Sequence, residues 1–179
     1  MFGSARLLLA AAVLVAVVAV VGLLWVVGRD DGSSPLPDTT EPVAVTEEQL
    51  RDFADEVDRP VYWAGASETD TYELTRLSNG EVYIRYLPEG TEIGDPAPKF
   101  TTVVTYPDET AYATLEEGSK RTDATAFRFE SGALAVTYVE TPTSVYFAFP
   151  DSPYLVEVFD PSPRRARQLV RSGQVAVIE

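Results

Sequence analysis

The chain has 179 residues, 45% apolar and 23% charged, and its 28 acids against 14 bases give a net charge of −14. It contains neither cysteine nor histidine, which excludes disulfides, thiolate and Ser-His-Asp catalysis, cysteine lipidation, and metal sites built on Cys or His. So acidic a surface repels nucleic acid, so no nucleic-acid partner is expected, and no residue pattern asks for a cofactor.

Residues 1–6 form a short tail, and residues 7–27, from Leu7 to Val27, are a run of 21 without a charge. As a helix this run spans about 30 Å, the thickness of a bilayer core. Trp25 sits near one end, where an interfacial indole is at home. A cleaved signal peptide has an apolar core of roughly 7–15 residues and a small-residue cleavage site. The run here is longer, and Gly28-Arg29-Asp30-Asp31-Gly32 is a poor site. The expectation is a retained signal anchor that meets the lipid bilayer through residues 7–27. Arg6 and the α-amine precede the run, whereas Arg29 is offset by Asp30 and Asp31. The positive-inside rule then places the N-terminus in the cytoplasm and the C-terminal domain outside the cell membrane.

Residues 28–43 read as a Pro/Ser/Thr-rich acidic linker, with GSSPLPDTTEP from Gly32 to Pro42. Such a composition makes a semi-extended spacer. Residues 44–179 remain for one globular domain, long enough for a core without staples.

The domain opens with a predicted helix. Thr46 and Gln49 have capping-box spacing, Val45 and Leu50 form a hydrophobic staple, and Leu50, Phe53, Ala54 and Val57 share a face before Pro60. Val61–Trp63 is a short strand. Tyr72–Leu77 and Glu81–Leu87 flank Ser78-Asn79-Gly80, the strongest short hairpin signal in the chain. Residues 90–99 form a loop, and Thr101–Tyr106 a β-branched strand. Asp108 is expected to cap a helix reaching Glu117, with Gly118 as its stop.

Ala124–Phe129 and Ala133–Val139 read as neighbouring strands, as do Ser144–Phe149 and Tyr154–Phe159. Ser162 and Pro163 start a last helix with Ala166, Leu169 and Val170 on its apolar side and Gly173 at its end. Val175–Ile178 closes as a strand. No internal repeat is present. Runs of strands with about three separated helices predict an α+β domain with a mostly antiparallel sheet.

Three groups of residues could carry function. Acids in turns and strands (Asp95, Asp151, Glu73 and Glu157) could act in pairs as a glycosidase requires, against the plainer reading of solvated surface. Arg164, Arg165, Arg167 and Arg171 crowd the last helix. Two of them sit in its first turn, where the dipole disfavours cations. They read either as an anion-binding patch or as partners for the domain's own acids. Tyr62, Trp63, Tyr72, Tyr83 and Tyr86 are aromatics that serve a core or a wet binding face, and Tyr83 with Arg85 shares one strand face. Candidate ligand-binding residues are therefore Trp63, Tyr83, Arg85, Arg164, Arg165 and Arg167.

No phosphate loop, dinucleotide fingerprint, nucleophile elbow or calcium loop appears. The leading expectation is a non-enzymatic interaction module of the cell envelope, with a protein or polymer partner. A carboxylate-dependent glycan hydrolase and a small-ligand binder on the aromatic strand face are the alternatives.

Overall fold

The computed structural model describes residues 40–68 and 70–179. The anchor expected over residues 7–27 and most of the linker lie outside them. Among the described residues no helix is long and apolar enough to cross a membrane.

Among the described residues ten strands and three helices follow one another: β1 (Val43–Val45), α1 (Glu47–Glu56), β2 (Tyr62–Trp63), β3 (Asp70–Arg76), β4 (Val82–Pro88), β5 (Thr102–Pro107), α2 (Ala111–Gly118), β6 (Ala124–Arg128), β7 (Leu134–Tyr138), β8 (Ser144–Ala148), β9 (Tyr154–Phe159), α3 (Pro163–Arg171) and β10 (Ala176–Val177). Eight strands form one sheet in the order β1-β3-β4-β5-β9-β8-β7-β6, and β10 pairs with β2 beside it. Every pairing is antiparallel. This is the expected α+β domain. Val43, at the end of the stretch read as linker, already belongs to a strand: β1 pairs with β3, Val43 opposite Leu74.

Local signals act as their chemistry requires. Thr46 Oγ1 accepts from the Gln49 amide at 3.2 Å while Gln49 Oε1 accepts from the Thr46 amide at 2.9 Å, completing the capping box of α1. Gly80 takes φ +91° in the β3–β4 turn, a left-handed conformation that glycine adopts without a steric penalty. Asp108 differs from its expected role. Thr110 precedes α2, and the Asp108 carboxylate accepts from the Thr110 amide and hydroxyl at 2.8 Å each, so Asp108 shapes the turn before the helix.

Two antiparallel runs meet in mid-sheet. After β5 the chain passes through α2 to the far edge, and β6, β7, β8 and β9 return until β9 pairs with β5. A row of apolar residues then crosses six strands on one face: Val43, Leu74, Ile84, Val103, Val158 and Val145. Leu50 and Phe53 of α1, Ala166, Leu169 and Val170 of α3, and Tyr62 and Trp63 of β2 bury this face in the main core. Ala111 and Leu115 of α2 cover part of the opposite face over Leu134, Val136 and Ala148. Burying both faces near the β7–β9 region explains why those strands carry long apolar runs rather than strict alternation.

Candidate functional site

Helix α3 owes its placement to Ala166, Leu169 and Val170, whose burial turns the remaining residues outward. Ser162 caps it by accepting from the Arg165 amide, and Pro163 fits the first helical position. The outer stripe is Arg164, Arg167 and Arg171, at i, i+3 and i+7, with Arg165 and Gln168 alongside. Arg165 reaches Asp160 at 3.3 Å, and the Arg171 guanidinium lies 4.8 Å from the centre of the Phe127 ring. Neither Arg164 nor Arg167 meets an acid among the described residues.

Two shallow depressions flank this stripe. One, of about 240 Å³, is lined by Ser162, Arg164, Arg165, Gln168, Leu169 and Gln174. The other, of about 380 Å³, is lined by Arg164, Arg167, Gln168, Arg171 and Ser172. Arg164 and Arg165 stand at the positive end of the helix dipole, so an anion there would relieve repulsion from the dipole and between the side chains.

The sheet face shared with α2 holds the other polar groups. Glu73 is 1% exposed and pairs with Arg85 at 2.5 Å. Its second oxygen accepts from the Gly94 amide at 2.6 Å, while Arg85 donates to the Asp95 carbonyl at 2.6 Å. This pair pins the 90–99 loop against β3 and β4. Asp95 itself accepts from the Ala97 amide and pairs with Lys99, and these partners hold its carboxyl below the usual range.

Further along this face, Tyr83, Val104, Glu157, Tyr146 and Val136 form one cross-strand row. Glu157 accepts from Tyr106 at 2.8 Å and from Ser144 at 2.7 Å. Burial, then the nearby Glu157 charge, raises the phenol pKa of Tyr106 and of Tyr146. Tyr83 donates to Glu81 at 2.6 Å, and burial followed by that bond raises its pKa as well.

These positions decide what each candidate can do. Trp63 is buried in the main core under the Arg51 guanidinium, and Tyr62 is buried beside it. Arg85 is engaged with Glu73 and lies 5.0 Å from the centre of the Phe100 ring, so the Tyr83–Arg85 strand face is partly roofed by the 90–99 loop. Glu73 and Glu157 face the same side but stand on β3 and β9, three strand spacings or about 14 Å apart. That exceeds the roughly 5–9.5 Å of a glycosidase pair. Asp151 lies exposed in the β8–β9 turn. Among the described residues no group of three or more acids is placed to hold a metal ion.

Sequence reasoning singled out the arginines, and Ser162 as a helix cap, but missed Gln168 among them and Gln174 beyond the helix, and Tyr106, Tyr146 and Ser144 around Glu157. The helical period was signal enough for Gln168. Nothing local announces that β5 and β9 are neighbours, so the hydroxyls converging on Glu157 were beyond reach. No family model, curated protein or solved structure matches this chain, and its site is described by geometry alone.

Proposed function

We propose that this chain is a single-pass membrane protein, anchored by residues 7–27 with its N-terminus cytoplasmic. Its domain stands outside the membrane on the acidic spacer and binds an anionic partner of the cell envelope without catalysing a reaction on it. One observation carries the binding reading: Arg164 is exposed and Arg167 half-buried at the surface, and neither has an acid partner among the described residues, although the chain has twice as many acids as bases. Simple charge balancing would have paired them. The uncharged run of residues 7–27 supports the anchor, and the single basic helix supplies a local attraction within an otherwise repulsive surface.

The test uses the full chain in nanodiscs and fluorescein-labelled poly-L-glutamate as the probe. Binding should weaken with added salt, because exposed charges are screened beyond about 8–10 Å. Replacing Arg164 and Arg167 together by Gln should weaken it about tenfold, each exposed charge being worth up to about 1 kcal/mol. Unchanged affinity in the double variant refutes the α3 reading. The anchor is checked separately: the chain should remain with membranes after a carbonate wash, and deletion of residues 7–27 should release it.

A further inference from the structure

Arg59 lies in the turn between α1 and β2; its backbone amide donates to the Val57 carbonyl at 2.6 Å, but its side chain makes no hydrogen bond or ion pair among the described residues. Its guanidinium rests on the β3–β4 hairpin turn. Nη1 comes 2.7 Å from the point where a Cβ would stand on Gly80, and the Pro107 ring closes within 3.1 Å of the same point. The missing side chain of Gly80 is the space the guanidinium uses. Nη2 is sealed from solvent and donates to nothing, the one buried side-chain nitrogen or oxygen among the described residues in that condition. Buried donors are almost always satisfied, and one that is not calls for a physical explanation.

Arg76, at the end of β3 beside the same turn, adds a second positive charge to the neighbourhood. Burial first, and Arg76 second, push the Arg59 guanidinium's pKa down, and the nearby Tyr154 offsets them only in part. The chain has 28 acids to call upon, yet none of those described pairs with Arg59.

We propose that Arg59 and Arg76, over the Gly80 turn, form an oxyanion site that takes a phosphate group. A guanidinium fork matches phosphate oxygens in pairs, and two such charges suit a doubly charged anion better than a single carboxylate. Arg59 is half-buried rather than enclosed, so its fork can turn outward to meet a ligand. Doing so exchanges a sealed, unpartnered donor for a charged acceptor. The site lies on the Gly80 hairpin turn and shares no residue with the α3 stripe, so it stands or falls without it.

Thermal unfolding of the full chain in micelles tests this, with inorganic phosphate compared against sodium chloride at equal ionic strength. The wild type should melt about 5 °C or more higher once phosphate exceeds its dissociation constant a hundredfold. Arg59→Met should lose that phosphate-specific rise, and Arg76→Gln, which keeps the fork, should reduce it. The Arg164→Gln/Arg167→Gln double variant should respond as the wild type does, separating this site from α3. Nanodiscs of phosphatidylglycerol, compared with phosphatidylcholine, show the source: a rise there without added phosphate assigns a lipid headgroup, and none assigns a free phosphate compound. No phosphate-specific rise in the wild type, or the same rise in Arg59→Met, overturns the site.

Discussion

Glu73 shows how one residue holds a loop. Its carboxylate is almost fully buried and satisfied on both oxygens, by Arg85 and by the Gly94 amide. Such a pair adds little over an apolar pair of similar size, but breaking it leaves a charge without a partner. Glu73→Gln should therefore destabilise the domain by about 3 kcal/mol, whereas Glu73→Leu with Arg85→Met should come close to neutral. Urea denaturation measures both. Amide exchange should also quicken at Gly94 in the single variant, because the loop loses its charged acceptor. A single variant as stable as the wild type would show that the pair is not what holds the loop.

At the scale of elements, the seat of α2 on the sheet depends on the absence of a side chain. Gly118 ends the helix, and a methyl group there would overlap the Tyr138 hydroxyl of β7. In an exposed helix Gly→Ala adds roughly 1 kcal/mol of stability. Here overpacking dominates, and Gly118→Ala should cost about 1–3 kcal/mol instead. In a Tyr138→Phe background the nearest remaining ring atom is 3.3 Å away, so the same substitution should cost much less. A double-mutant cycle by thermal unfolding reads this coupling directly. Equal costs in both backgrounds would place the strain elsewhere.

Across the whole molecule, tyrosines couple the fold to alkaline pH. Burial raises the phenol pKa of Tyr83, Tyr86, Tyr106 and Tyr146 above their ordinary value of 10.0, with Glu81 adding to the effect on Tyr83 and Glu157 to that on Tyr106 and Tyr146. Above pH 10 the unfolded chain releases these protons while the folded chain retains them. The folded state then binds more protons, and stability falls as pH rises. Below pH 10 these groups are neutral in both states and impose no slope. Phenolate absorbance near 295 nm should therefore appear for these four residues together with loss of the far-ultraviolet circular dichroism of the sheet. Ionisation of all nine tyrosines near pH 10 with the sheet intact would contradict this.

Features that depend on a few consecutive residues are legible in the chain alone. The Thr46–Gln49 capping box, the Asn79-Gly80 turn and the Ser162-Pro163 start of α3 act within four positions of the backbone, so their chemistry can be read directly. Alternation likewise sorted Tyr83 and Arg85 onto one side of β4 and Val82 and Ile84 onto the other. Alternation says which residues share a face, but not which face is buried or by what. Trp63 went to the core because β2 pairs with β10 and packs against β5 of the main sheet, and Arg85 went to Glu73 because β3 and β4 place them opposite each other. Only the tertiary structure joined β5 to β9, set Tyr106 and Ser144 on Glu157, and laid Arg59 over Gly80. Those contacts link residues 13 to 51 positions apart where hydrogen bonds record them. They form because two apolar faces are buried together, a condition that belongs to the packed sheet and to no single segment of the chain.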